Sequence, residues 1–410
     1  MVANACSTVP GSTAGSPVNH GVTVVGGGLA GLVAAIECAE AGATVTLFEA
    51  HSLLGGRARS TDGPFVANLG PHALYDDGAT WKWLAARNLV GRARRSPIGG
   101  LTFRVGGQRH VLPPARLLRM FTVHRDTAPI DIAFKAWAAQ RWGHETATLA
   151  SHAAGVFTFD ADPGRLSAAF VLPRLRRVMN LPPHNRYVVG GWGMLVRRLE
   201  DRARALGVYI HTGSRVDAVP DPPVIVATEL DTARRLLGDE SLAWEGTRTA
   251  FLDVGVKERR RDPFVVWDLD EAGWAERYSR PDPSLAPAGH SVIQAQVGLR
   301  PGESLDDGVE RIGALLDCGF PHWREREAWR RRYVLDGRSG ALDLPGTSWQ
   351  DRPAVERGDG VFLCGDAVAA PGLLSEVAVT SAVRAAAGTI AYLSAPGARH
   401  GPAGTAAATP

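Results

Sequence analysis

The sequence predicts an α/β fold in two units, one discontinuous and parallel-stranded, the other a mixed or antiparallel sheet with helices. Three observations carry this. A short apolar strand, Val22–Val25, runs into three glycines, an apolar helical face and a second strand. A similar strand, Val361–Cys364, returns far downstream and runs into Gly365-Asp366. Between them, from about Thr247 to Trp349, pieces such as TAFLDVGV, PFVVWDL and HSVIQAQV alternate apolar and polar residues, as a half-exposed antiparallel sheet would.

Taken in order, Leu29, Leu32, Val33 and Ile36 recur at i, i+3, i+4, i+7, one face of a helix that Gly42 closes. Ala43–Phe48 is the next strand and ends in Glu49. Leu101–Val105 and Gln108–Leu112 flank Gly106-Gly107 and read as a hairpin. From about Pro114 to Leu181 the chain reads as mostly helical, with Phe121, Phe134, Trp137 and Trp142 among arginines. Gly190-Gly191 opens a helix over Met194–Ala205, and the strand Gly207–His211 follows. Val224–Ala227 is a further buried strand, with Thr228 as N-cap for a helix over Leu230–Leu237. A helical segment spans about Val309–Asp317, and a last helix starts at Ser375.

Bulk properties narrow the function. A chain of 410 residues exceeds one ordinary core, and 45% hydrophobic with 21% charged residues is a globular composition. Lys+Arg 45 against Asp+Glu 42 leaves +3, which argues against a nucleic-acid partner. Lysine occurs only at Lys82, Lys135 and Lys257. Cys6, Cys38, Cys318 and Cys364 have no metal-ligand spacing, so no metal is expected; they read as free thiols in the reducing cytoplasm. No stretch reaches the roughly 18 apolar residues of a spanning helix. Residues 1–20 show no signal-peptide pattern; they and 397–410 read as disordered tails.

The chemistry begins at Gly26-Gly27-Gly28-Leu29-Ala30-Gly31, a GxGxxG loop between strand and helix. Gly26 permits the tight turn, Gly28 lets backbone approach a pyrophosphate, and Gly31 lets the helix pack on the strand. Leu29 and Ala30 lie at the helix N-terminus, where free N–H groups and the dipole favour phosphate. Glu49 stands where a carboxylate accepts adenosine ribose hydroxyls, with Ala50 beside it. The loop alone does not separate FAD from NAD. Two further features favour FAD. Leu54-Gly55-Gly56-Arg57 brings a close backbone and a phosphate-reaching guanidinium. In VFLCGDAVAAPGLLSEVAV, Asp366 at a strand end can accept a ribityl hydroxyl. Ser375 would cap a helix whose first N–H groups, on Glu376, Val377 and Ala378, point at a flavin pyrimidine edge, with Leu374 adjacent.

The pieces VVGGGLAGLVAA…VTLFEA…LGGRARS, YVVGGWGMLVRRLEDRARALGVYIHTGSRV and FLCGDAVAAPGLLSEVAVTSAVRAA resemble the glutathione-reductase-type FAD superfamily. The branch resembled holds amine oxidases, protoporphyrinogen oxidases and phytoene-desaturase-like dehydrogenases. The resemblance implies a discontinuous Rossmann-type FAD-binding domain over 21–100, 186–247 and 346–396. It implies a substrate domain over 101–185 and 248–345. It also implies that the strand ending at Val216 lays its backbone against adenine. The stretch Asn68-Leu69-Gly70-Pro71-His72 would run past the isoalloxazine ring, making Gly70, Pro71 and His72 cofactor neighbours. His72 is the candidate acid/base, with a packing or hydrogen-bonding role as the alternative.

Two departures from the resembled pattern shape the expected chemistry. The strand TAFLDVGVK has its only lysine, Lys257, at the far end, so Phe251 or Leu252 would face the flavin instead of a water-holding lysine. No residue suits a flavin thioether, so FAD is expected to be non-covalent, and Cys364 reads as core. The expected activity is hydride removal from a C–H bond, allylic or next to nitrogen, of a largely apolar small molecule of secondary or isoprenoid metabolism. Dioxygen or another external acceptor would take the electrons, since no second GxGxxG offers an NADPH site. A non-redox isomerase or cyclase and a flavin-free prenyl-binding escort are the alternatives. The aromatic and basic stretch Arg116–Trp142 reads as a buried wall in preference to a membrane-facing surface.

Overall fold

The computed structural model describes residues 21–70, 72–117, 127–180, 182–337 and 340–395. The expected tails, Cys6, Pro71 and Phe121 lie outside the described residues. The first strands are β1 (Gly21–Val25), β2 (Thr44–Phe48), β3 (Leu74–Tyr75), β4 (Ala93–Arg95), β5 (Leu101–Val105) and β6 (Gln108–His110). They are followed by β7 (Asn185–Val188), β8 (Tyr209–His211), β9 (Val224–Val226), β10 (Arg248–Lys257) and β11 (Val265–Asp268). The last are β12 (Trp274–Glu276), β13 (His290–Gly298), β14 (Glu327–Asp336), β15 (Glu356–Gly358) and β16 (Val361–Leu363). The helices are α1 (Leu29–Glu40), α2 (Ala79–Ala86), α3 (Phe134–Trp142), α4 (His144–Ala153) and α5 (Gly155–Thr158). After these come α6 (Ala168–Val178), α7 (Trp192–Ala205), α8 (Leu230–Leu237), α9 (Leu305–Gly319) and α10 (Ser375–Ser394).

The first sheet has the order β15-β16-β9-β1-β2-β8. It is parallel from β16 to β8, and β15 is an antiparallel edge strand. Val224, Ile225 and Val226 are wholly buried, as a strand covered on both faces must be. Small residues let α1 and α10 lie close over this sheet: Ala34 and Ala35 on one, Ala378, Ala382, Ala385 and Ala386 on the other. Length and composition would let α10 cross a membrane. This is more apolar than the sequence reading allowed, and the physical reason is that alanine face against α1.

The second sheet has the order β14-β10-β13-β12-β11-β5-β6, antiparallel except for the β5–β11 pair. The expected hairpin therefore joins this sheet, its second strand stopping at His110 instead of Leu112. α9 covers one face, packing Ile312, Leu315 and Leu316 against Leu252, Val254 and Ile293. Ser304 and Asp307 form a reciprocal capping box that starts α9 earlier than expected. The other face packs partly on the helices α3 to α6 and partly under Asn68–Gly70. Register sets Tyr333, Phe251, Gln296, Trp274, Trp267 and Phe103 in one row across the strands. One pleat along lies a second row, Arg331, Asp253, Gln294 and Glu276.

Helices α3 to α6 form a separate core with Phe103, Trp267, Leu342 and Leu373. Phe134, Trp137 and Trp142 are buried within it, and Arg141 lies over the Trp137 ring. Two smaller readings are corrected. Glu229, not Thr228, occupies the N-cap of α8, and no side chain caps it. β8 ends at His211, so Val216 lies in irregular chain beyond it, half-buried against the first core.

Candidate active site

The glycine loop is shaped by contacts on three sides and space on one. Gly26 has φ 108°, and a Cβ there would stand 2.7 Å from the Ala227 carbonyl oxygen. A Cβ on Gly31 would stand 1.8 Å from the Gly26 carbonyl oxygen, so the first turn of α1 is pressed onto the end of β1. Gly28 differs: it occupies the N-cap of α1, and a Cβ there meets nothing within 4 Å. The helix N-terminus carrying Leu29 and Ala30 therefore opens onto free space. Such a backbone surface suits a pyrophosphate.

Glu49 follows β2 and is 7% exposed. Its carboxylate accepts the N–H of Gly27 at 2.8 Å and the N–H of His51 at 2.8 Å. Burial pushes its pKa up, but the backbone N–H donors of His51 and Gly27 outweigh this, and the group stays below its ordinary range. Ala50 beside it is exposed. The Gly55 N–H donates to the Gly27 carbonyl at 2.7 Å, which ties the second glycine pair to the first loop. Gly55 and Gly56 have φ 106° and 52°, left-handed values that favour glycine. They turn Arg57 toward the far end of the sheet.

There Arg57 meets Asp366, the residue after Gly365 at the end of β16. Two parallel bonds of 2.6 and 2.8 Å join the pair across 309 residues. Burial opposes ionisation of Asp366, but the guanidinium wins and holds the carboxyl below its ordinary range. The two side chains remain 31% and 17% exposed, so the pair lines an accessible groove. Glu49, Arg57 and Asp366 thus supply acceptors and a fixed cation beside an open helix N-terminus. That donor and acceptor set fits a dinucleotide.

The start of α10 departs from expectation. Ser375 does not cap it; its hydroxyl lies 3.4 Å from that of Thr80. No side chain caps α10; the buried Glu376 in its first turn accepts the Leu373 N–H at 3.1 Å and two bonds from Arg177 at 2.7 and 2.8 Å. The N–H groups of Glu376 and Val377 donate to the carbonyls of Leu373 and Leu374, each at 3.0 Å. Leu374 itself sits at φ 52°.

Asn68–Gly70 is held from beneath by the second sheet. The Asn68 carbonyl accepts from Gln294 at 2.8 Å and from Arg331, and the Gly70 N–H donates to the Tyr333 hydroxyl at 2.7 Å. His72 stacks on Trp192, with ring centres 4.5 Å apart, and its Nε2 lies 2.9 Å from the Arg57 carbonyl. That bond requires a hydrogen on Nε2. Burial pulls the imidazole down to about 4, so it is neutral at physiological pH and fixes the backbone of Arg57.

On the sheet floor, Phe251 faces Gly70 and stacks on Tyr333 at 4.9 Å, whereas Leu252 points at α9. Lys257 lies at the exposed end of β10. Asp253 is wholly buried; burial pushes its carboxyl up to about 6 against the pull of Arg331, whose Nε donates at 2.9 Å. Glu276 accepts from Tyr187 and Trp274, and burial raises it to about 7. The Gln296 side-chain oxygen has no partner among the described residues. The sequence reading missed Asp253, Gln294, Tyr333 and Glu276. Period-two alternation in TAFLDVGV puts Asp253 on the face of Phe251 and was the available signal for it.

A small cavity between α5, α6 and the start of α10 is walled by Phe157, Phe170, Leu342 and Leu374 and reached by Asp366 and two arginines. Asp76, Asp77 and His184 bring ligand atoms within 4.8 Å of one another. Arg186 and Arg177 already neutralise the two carboxylates.

Residues 24–87 match a family described as an NAD(P)-binding Rossmann-like domain. No curated protein matches the sequence. Among solved structures, an oxidoreductase from Methanosarcina mazei is similar at TM-score 0.72 and 16% identity, over 89% of this chain and 99% of that one. Cyclohexylamine oxidase from Brevibacterium oxydans IH-35A is similar at 0.71 and 15%, over 92% and 99%. A reduced UDP-galactopyranose mutase is similar at 0.70 and 15%, over 90% and 95%. At 15–16% identity these likenesses show that the chain shares the fold of these proteins.

Proposed function

We propose that the chain binds FAD non-covalently and oxidises a largely apolar small molecule held between the two sheets. The observation that carries this is the bidentate Arg57–Asp366 pair. It links the glycine cradle to the strand–helix motif of β16 and α10, an arrangement with no use in a simple nicotinamide site. In this reading Gly28, Leu29 and Ala30 bind the pyrophosphate, Glu49 the adenosine ribose, and Asp366 a ribityl hydroxyl. Arg57 adds positive charge, and His72 keeps its backbone in place. Phe251, Tyr333 and Leu374 form an apolar wall that excludes water from the reacting face.

The chemistry FAD supplies when bound is acceptance of a hydride from a C–H bond, allylic or next to nitrogen, with dioxygen or another acceptor reoxidising it. The protein's share is positioning. Cys38, Cys318 and Cys364 are free, which supports a cytoplasmic setting.

The test is an absorbance spectrum of the purified chain, mass analysis of what acid releases, and anaerobic mixing with amines and polyenes. A flavin bleached by one of them is the expected result. A colourless protein sinks the proposal and revives the escort reading. The fold shared with UDP-galactopyranose mutase keeps one other reading in play. Turnover without oxygen uptake or an electron acceptor would favour an isomerase.

A further inference from the structure

Exposed large apolar side chains are few among the described residues, and four of them, Ile98, Leu101, Val111 and Leu112, gather at one end of the seven-stranded sheet. Register puts them there. β5 and β11 run parallel with Leu101 opposite Val265, and the Gly100 carbonyl accepts the N–H groups of Phe264 and Val265 at 2.8 and 3.1 Å. β6 runs back along β5 with His110 opposite Phe103, so the chain leaving it, Val111-Leu112, returns to the end where β5 begins. Ile98 is fully exposed, and Val111 and Leu112 are 71% and 74% exposed. Single exposed apolar residues are ordinary, but four at one sheet end mark a surface that meets something. The same end is basic. The turn from β10 to β11 carries Arg259, Arg260 and Arg261, β10 ends there at Lys257, and the chain leaving β12 brings Arg280. These cations are exposed, and among the described residues none has a carboxylate within ion-pair distance. The acids around them are already taken: Glu258 by Arg277, Asp262 by Arg326, Asp317 by Arg324.

We propose that this end of the sheet docks on an anionic lipid bilayer, the four apolar side chains entering below the headgroups and the cations lying at the level of the phosphates. Charge decides the occupant. A second copy of the chain would bring like charges together. A nucleic acid would pair the cations and leave the apolar tips in water. An anionic bilayer satisfies both: the acyl region buries the tips, and each cation gains from the negative surface potential. The long arginine and lysine stems let apolar contact and phosphate contact coexist within one thin layer. This surface is distinct from the Arg116–Trp142 stretch, whose Trp137 and Trp142 are buried in the helical core. None of its residues belongs to the proposed cofactor site, so the proposal stands apart from the oxidase reading.

The full purified chain is sedimented with phosphatidylcholine vesicles and with vesicles in which about a third of the lipid is phosphatidylglycerol. At about 0.1 M salt the anionic vesicles are expected to bind at least about tenfold more tightly than the neutral ones, and about 1 M salt should shrink the difference. Val111→Ser with Leu112→Ser should weaken binding to anionic vesicles at least about tenfold, and Arg260→Gln with Arg261→Gln by a similar factor. Tyr209→Ser, an exposed change on β8 of the other sheet, should leave it within about twofold. Thermal unfolding is read on every variant, and these exposed changes should leave it close to that of the parent. No binding to anionic vesicles, or equal binding to neutral ones, overturns the proposal. Binding that the arginine changes remove and the apolar pair of changes leaves intact marks a general polyanion patch and overturns it too. A dimer that the apolar changes dissociate, with no vesicle binding, assigns the face to a second copy instead.

Discussion

The two sheets carry their chemistry in different places. In the parallel sheet the central strand β9 is wholly buried, and the candidate site groups stand beyond strand ends: Gly26 after β1, Glu49 after β2, Asp366 after β16. In the seven-stranded sheet α9 covers one face, and Asp253 and Gln294 lie mid-strand on the other, with Glu276 beside them at the end of β12. A strand buried on both sides has no room for a polar side chain, so function moves to its tip. A strand with one free face can hold polar side chains along its length, but once covered they must satisfy one another. Changes at the strand tips should therefore affect binding more than stability, and changes on the floor should affect both.

The largest effect is expected on the floor. Arg331→Ala leaves the fully buried Asp253 without its cation and should cost about 4 kcal/mol at neutral pH, read from urea unfolding. A loss no larger than that of an exposed arginine would erase the contrast between the sheets. At the tips, Gly31→Ala drives a Cβ into the Gly26 carbonyl and should cost about 3 kcal/mol. Gly28→Ala meets open space and should cost under about 1 kcal/mol while removing bound cofactor. If both glycine variants unfold alike, the tip is not a separable binding element.

A pH series sharpens the floor half. Glu276 is held near 7 in the folded chain against 4.5 for an ordinary glutamate, so the fold binds its proton more tightly than the unfolded chain does. Stability from this group is therefore greatest below about 4.5 and falls by about 3 kcal/mol as pH rises to about 7. Glu276→Gln should flatten that decline in thermal unfolding. The smallest effect on function is expected at His72. His72→Leu removes the donor to the Arg57 carbonyl, worth about 1 kcal/mol, and should leave the pH dependence of turnover unchanged. A lost ionisation in that profile would restore the acid/base role.

The same contrast explains what could be read from the sequence. Tip residues come with local grammar, glycines at set spacings after an apolar strand, so the βαβ unit and the returning β16 were legible. The floor is a product of register. Nothing local aligns Tyr333 with Phe251, or Glu276 with Gln294, until β14, β10, β13 and β12 have paired. Ser375 misled by one position: it is the first residue of α10, so Leu374 stands at the N-cap and no side chain caps the helix. Val216 was named from the family resemblance alone, and the strand before it stops at His211.

The 309-residue reach of the Arg57–Asp366 pair bears on how the chain comes into being. Synthesis delivers the glycine loop early and the aspartate late, with the whole seven-stranded sheet made in between. Until β16 emerges, β9 presents a bare edge, a surface open to wrong pairing with other chains. The groove can be closed only as a last act, so the half-made protein depends on whatever shields that edge while it waits.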